Sequence, residues 1–403
     1  MLNALPYHQK VATHFKQQIK TWQYFAQAKN KEGQLQQFKT ELLKNTYKFS
    51  PENDTAIYSK LAFAKNQLDL GDLPVTVYQA QYTDELNASI VYLENEAHIV
   101  FSGGIIKLLS DDELLAVLAH ELSHVKLYTM LNYDIEVADR IITSIANNFN
   151  SEPSYYETAR RFRLYTEIFC DRGAFKVLNN IDPVISSLVK ISTGLDQVNA
   201  DSYIKQADEI FDNEKGFTTT GISHPENFIR AKSLQIWRDD NSNADERITK
   251  MIIANATIDH LDIFQQQDLS KLTRTFLELF LKPRWMQTAL ILSQAKQFFP
   301  DFKMEENIVL TNALKETIEQ SDKSIKEYLC YLLLDFSLVD PELDIVPSGW
   351  AFQFAEEVAL KEIFDNIIKK EMILSEKKLK QYKENSLSAY YGIKENESEQ
   401  IYE

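Results

Sequence analysis

Residues 110–125 read Ser-Asp-Asp-Glu-Leu-Leu-Ala-Val-Leu-Ala-His-Glu-Leu-Ser-His-Val, and this stretch decides how the rest of the chain is read. Ser110 followed three residues later by Glu113 is a capping box, the mark of a helix start. Leu114, Leu115, Val117, Leu118, Leu122 and Val125 then supply an apolar face. Within that helix lies a His-Glu-x-x-His pattern. His120 and His124 are four apart and share a face, so both imidazoles can reach one metal ion. Glu121 is turned about 100° away around the helix. There it stays out of the ligand set but close enough to take a proton from a water on the metal.

Upstream the hydrophobic period changes. Leu73–Gln79, Ser89–Leu93 and His98–Ser102 are short, rich in β-branched or aromatic residues and bounded by turn or polar residues, so they read as strands. Further upstream, residues 54–69 have Ile57, Leu61, Ala64 and Leu68 at helical spacing, and residues 10–45 look helical and charged. If His98–Ser102 is the sheet edge facing the metal, the free backbone groups of His98, Ile99, Val100 and Phe101 can pair with an extended peptide.

A catalytic zinc needs a third protein ligand and an open position. No Gly or His follows His124 at the spacing that would supply it locally, so the ligand comes from elsewhere. Glu167, on a helix expected over Tyr155–Leu178, is the best candidate. Asp171 lies one turn further on the same face, placed to accept the outer N–H of His120 or His124 and hold the ring's tautomer. A third segment, Ser223-His224-Pro225-Glu226, is followed by Arg230. His224 could hydrogen-bond the oxyanion of a tetrahedral intermediate, occupy the open zinc position, or simply cap a turn. Arg230 could bind substrate or pair with Glu167 or Asp171.

Composition sets the bounds. The chain has 403 residues, 44% of them hydrophobic and 25% charged, an ordinary globular composition long enough for two domains. Its formal net charge of -16 argues against nucleic acid or anionic lipid as a partner. Two cysteines, Cys170 and Cys330, make no disulfide framework. No signal peptide is expected at the N-terminus, and no apolar run approaches the roughly 20 residues that a membrane span needs. A soluble, cytoplasmic protein is the expectation. Only ten glycines and ten prolines occur, which points to long helices. The polar stretch over residues 238–246 is the expected boundary. It separates an N-terminal helical segment (1–54) and a metal-binding domain (55–238) from a helical C-terminal domain (246–403) with an acidic tail.

The segments FSGGIIKLLSDDELLAVLAHELSHV, TEIFCDRGA and SHPENFIRA resemble, in order, the three signature segments of the M48 peptidases, the family of Ste24-type and HtpX-type proteases. The resemblance covers roughly residues 55–235. It implies a zincin-like (gluzincin) domain of helices around a small sheet, one Zn2+ per chain and cleavage of peptide bonds. It also implies His120 and His124 as ligands, Glu121 as general base, Glu167 as third ligand, Asp171 as the family's aspartate and His224 as its His-Pro histidine. Where the family has alanine before that aspartate, this chain has Cys170, and it lacks the membrane spans of the best-known members. Beyond the boundary, residues 328–375 are similar to the helical tellurite-resistance (TerB-like) domain, which implies a module for protein partners. The expected fold is therefore mainly α with a small β-sheet (α+β), a zincin-like domain followed by an all-helical one. The expected activity is that of a zinc endopeptidase acting on peptide or protein substrates. The alternative is a catalytically silent metal-binding scaffold that recruits partners through its C-terminal helices.

Overall fold

The computed structural model describes residues 2–27, 32–93, 96–213, 227–240, 242–253, 257–305 and 307–394. The chain is mainly helical with one small mixed sheet, the α+β class expected. It divides into two compact units, Met1–Asn255 and Ala256–Glu403. Among the described residues no helix is long and apolar enough to cross a membrane.

The first unit opens with α1 (Pro6–Lys16), α2 (Ile19–Gln27) and α3 (Glu32–Asn45), then β1 (Thr46–Lys48) and α4 (Thr55–Gln67). β2 (Val75–Ala80), β3 (Asn87–Leu93) and β4 (Glu96–Ser102) follow, then the single-turn α5 (Ile105–Leu108) and the long α6 (Asp111–Thr129). The remaining helices are α7 (Asp134–Ala146), α8 (Pro153–Leu178), α9 (Asp182–Thr193), α10 (Ala200–Asn213), α11 (Asn227–Asp239) and α12 (Ala244–Ile253). α6 starts where the capping box places it: the Ser110 hydroxyl accepts from the Glu113 N–H, and the Glu113 carboxylate accepts from the Ser110 N–H. Lys190 of α9 also donates to Glu113, at 2.9 Å, which ties the start of α6 to α9.

The sheet order is β1-β2-β4-β3, with β2 and β4 parallel and the outer pairs antiparallel. β4 is therefore an inner strand. Its backbone groups are shared between β2 and β3, so the expectation that His98, Ile99, Val100 and Phe101 form a substrate-binding edge is overturned. The edge next to α6 is β3, which pairs only with β4 among the described residues. Ile99 and Phe101 are fully buried on one face of β4. His98 is buried on the other face, beside Tyr78 (ring hydroxyl to Nδ1 3.3 Å) and the Phe38 ring. The three-residue β1 was not foreseen, because a strand this short has no alternation to read; pairing with β2 makes it extended.

α6 and α8 form the central helix pair. They cross at Gly173, where a Cβ would lie 1.9 Å from Ser123 Oγ and 2.8 Å from Ser123 Cβ. Only glycine permits that approach, and it brings residues 167 and 171 of α8 against residues 120 and 124 of α6. Behind α8 lies α1, whose Val11 and Phe15 are fully buried and whose Tyr7 ring stacks on Tyr165 at 4.7 Å.

The second unit is helical: α13 (Ile263–Phe280), α14 (Ala289–Phe298), α15 (Asn312–Gln320), α16 (Lys323–Leu338), α17 (Val346–Glu357), α18 (Lys361–Glu371) and α19 (Glu376–Lys394). Phe276, Phe280, Leu333, Phe336, Trp350 and Phe354 lie at its core. The Trp350 indole N–H, which could not be buried unpaired, donates to the Phe280 carbonyl at 2.8 Å. α17 meets α19 at Gly349, where a Cβ would lie 2.0 Å from the Ser386 carbonyl oxygen.

Candidate metal centre

The fold brings together five residues singled out in the sequence. His120 Nε2 lies 3.4 Å from Glu167 Oε2, and His124 Nε2 lies 3.8 Å from Glu167 Oε1. The two imidazoles are tilted 76° to each other with ring centroids 5.2 Å apart. His120 Nδ1 is 2.9 Å from Asp171 Oδ1. An ionised carboxylate only accepts, so this nitrogen carries the proton and Nε2 is the one left facing Glu167. Arg230 of α11 donates to Asp171 from Nε and from Nη2, each at 2.7 Å, and its Nη1 lies 3.0 Å from Glu167 Oε2. Of the two roles open to Arg230, pairing with both carboxylates is the one its geometry takes. His224 lies outside the described residues.

The protonation states follow from burial set against neighbouring charge. Burial would raise Glu167 and Asp171, but the Arg230 charge and the contacts to His120 outweigh it and hold both below the usual carboxylate range. Burial opposes a charged His120, yet the hydrogen bond to Asp171 and the nearby Glu167 carboxylate outweigh burial and lift it to about 10. Burial lowers His124 to about 4, the Glu167 carboxylate at 3.8 Å opposing it only in part. Burial raises Glu121 to about 7. The two histidines of the motif are thus driven in opposite directions by what each one faces.

The donor set fits a divalent cation of zinc's type. Glu167 Oε2 is buried, and among the described residues it makes no hydrogen bond of good geometry despite the nearby guanidinium. With one carboxylate oxygen near His120 Nε2 and the other near His124 Nε2, the three side chains offer the kind of donor set that can hold a cation. Cys170 Sγ also lies within 4.8 Å of both imidazoles. It is fully buried, however, and burial together with the Glu167 and Asp171 charges holds the thiol protonated far above its usual range. Glu167, by contrast, is held anionic. Sequence reasoning gave Cys170 a packing role and missed its nearness to the histidines, which its place one residue before Asp171 would have signalled.

Two cavities flank this group. One, of about 390 Å3, is lined by Ser89, Ile90 and Tyr92 of β3 together with His124, Tyr128 and Glu167. The other, of about 720 Å3, begins at His120 and Glu121 and extends between the start of β3, α9 and α11. None of His98, Ile99, Val100 or Phe101 lines either cavity. Both are bordered by β3.

Helix, histidine pair, carboxylate and edge strand together describe the metal-dependent peptidases as a class. Residues 52–238 match the model of peptidase family M48. The chain is also similar to the plastoglobule-localized metallopeptidase 48, chloroplastic, of Arabidopsis thaliana, with 29% identity over 162 residues. That stretch covers 34% of this chain and 44% of the relative, so the match spans less than half the length of the curated protein. No solved structure matches.

Proposed function

We propose that the first unit is a zinc-dependent endopeptidase, with His120, His124 and Glu167 holding one zinc and Glu121 acting as general base. The observation that carries this reading is the buried Glu167 carboxylate, one oxygen 3.4 Å from His120 Nε2 and the other 3.8 Å from His124 Nε2, with Glu121 beside the histidines on α6. Zinc supplies Lewis acidity, making water nucleophilic near neutral pH and polarising the scissile carbonyl. Glu121, buried and raised to about 7, is poised to take a proton from the attacking water and return it to the leaving nitrogen. A cation beside it lowers that value, so the carboxylate is the working form at neutral pH. Asp171 holds the His120 ring through Nδ1, and Arg230 holds both Asp171 and Glu167. β3, which is an edge strand among the described residues, offers backbone partners to an extended peptide. The helical second unit is read as a module for protein partners.

The test is metal content and hydrolysis of a denatured protein by three purified forms. Wild type should hold about one zinc per chain and cleave. Glu121→Gln should keep its zinc while activity falls by about 10²–10⁴-fold, the usual worth of a general base. Glu167→Ala should lose most of its zinc. A metal-free wild type, or a fully active Glu121→Gln form, contradicts the assignment. His224→Ala adds a separate reading: slower cleavage marks a group supporting the transition state, faster cleavage marks a latch on the metal, and an unchanged rate removes both roles.

A further inference from the structure

Cys170 has no part in the chemistry proposed above, yet it stands among the residues that would hold the metal. It follows Glu167 by three residues on α8, so the two side chains share a face of that helix. Its Sγ, one nitrogen of His120 and one nitrogen of His124 all lie within 4.8 Å of one another. Nitrogen and sulfur donors around one shared cation stand roughly 3–4 Å apart, so the three are close to that spacing. The thiol is fully buried, and among the described residues it has no hydrogen-bond partner. One turn further on, Gly173 meets Ser123 of α6, so the helix crossing itself holds the sulfur against the histidine pair.

Sulfur changes which cations the group suits. Two imidazoles with a carboxylate suit zinc, whereas two imidazoles with a thiolate favour a softer cation such as cadmium. Burial and the Glu167 and Asp171 carboxylates keep the free thiol protonated. A divalent charge placed beside the sulfur reverses that balance, because a coordinating thiol gives up its proton. The S–H bond then breaks, a sulfur–cation bond forms and the proton passes to solvent. Nothing is oxidised or reduced.

We propose that His120, His124 and Cys170 form a second donor set, overlapping the zinc set, that takes a soft divalent cation such as cadmium through the Cys170 sulfur. This rests on the zinc reading above, with which it shares two histidines. Glu167 is not required to hold the soft cation. Where it joins, it completes four protein donors, the closed arrangement of a structural site with no position left for water. One pair of histidines thus serves an open set with Glu167 and a closed set with Cys170, and the softness of the cation decides between them.

The experiment titrates the metal-free full chain with cadmium, and separately with zinc, and follows thiolate-to-cadmium charge-transfer absorption in the ultraviolet. Wild type should develop this band up to about one cadmium per chain. Cys170→Ser and Cys170→Ala should lose it, while Cys330→Ala, which removes the other cysteine, should keep it. Zinc bound by Cys170→Ser, which nearly preserves the side-chain volume, shows that the variant folds. Glu167→Ala should lose zinc yet keep the cadmium band, which separates the two donor sets. Cadmium-loaded wild type should not cleave a denatured protein. Four results overturn this inference and leave the zinc assignment standing: cadmium bound without a band, a band that persists in both Cys170 variants, cadmium lost from Glu167→Ala along with zinc, or cleavage by the cadmium form. A wild type that binds neither cation overturns both.

Discussion

Asp171 lies outside the proposed ligand set, yet it holds one of the two histidines. It accepts from His120 Nδ1 at 2.9 Å and is itself held by two bonds from Arg230. Asp171→Ala would free the ring and leave Arg230 half-paired. Zinc affinity should fall by about 10–100-fold, the cost typical of losing such a support, and competition with a chelating dye measures it. The same contacts create a pH dependence. His120 is lifted to about 10 without metal, so over neutral pH its Nε2 carries a proton that a metal must displace. Apparent zinc affinity should therefore rise by about tenfold per pH unit over roughly pH 6–8. In Asp171→Ala that slope should weaken, because burial then lowers the imidazole with less to oppose it. A slope near zero in wild type would mean that His120 is already neutral. The histidine pair and Glu121 were legible in the sequence because four-residue spacing on a capped helix is a local signal. Glu167 and Asp171 were legible as a pair one turn apart. The role of Arg230 was not, since substrate binding and pairing were both open to it, and the packing of α11 against α8 sets it against both carboxylates.

Elements set the precision of the site, and α8 crossing α6 is the critical contact. At Gly173 a Cβ would overlap both heavy atoms of the Ser123 side chain. Rotating the hydroxyl could relieve the 1.9 Å contact, but not the 2.8 Å contact to Ser123 Cβ, so the helices themselves must separate. Alanine is the better helix former by about 1 kcal/mol. Here the overlap outweighs that gain, and Gly173→Ala should be destabilising by about 1–3 kcal/mol, read by denaturant midpoint. Because residues 167 and 171 ride on the same helix, zinc affinity should fall in step. Stability lost with affinity retained would show that the crossing supports the core but not the ligands. The helices α4, α6 and α8 and the strands β2 to β4 could be recognised from the sequence, because period and caps are local properties. The strand order could not. β3 and β4 are both short and apolar, and which of them becomes the edge depends on β4 inserting beside β2 in parallel, a choice made by tertiary packing. Hence the residues assigned to the edge, 98–101, lie one strand away from the residues that occupy it.

At the scale of the molecule, burial of charge-capable groups makes the first unit sensitive to acid. His8 of α1 shows this best, because it lies away from the metal group yet joins the N-terminal helix to α8. Its Nε2 is 3.1 Å from the Thr166 hydroxyl, and its ring meets Phe162, Tyr165 and Phe169 edge-on. Burial lowers its pKa from 6.5 to about 3. The unfolded chain therefore takes up a proton at higher pH than the folded chain does. The stability that a neutral His8 contributes is fully present above pH 6.5 and is lost as pH falls from there towards about 3. At about 1.4 kcal/mol per unit the full effect is on the order of a few kcal/mol. The lowered Glu157 acts in the same direction in acid, so the wild-type slope contains more than one group. His8→Phe isolates the histidine. A phenyl ring fits the aromatic surroundings, and the Thr166 hydroxyl still donates to the Phe162 carbonyl at 2.9 Å, so no polar group is stranded. Calorimetry of the metal-free full chain at pH 7 and pH 5 should show the wild type losing more melting temperature on acidification than His8→Phe does. Equal losses would mean that His8 is already reached by water and solvated in the folded chain, and that α1 is not sealed against α8.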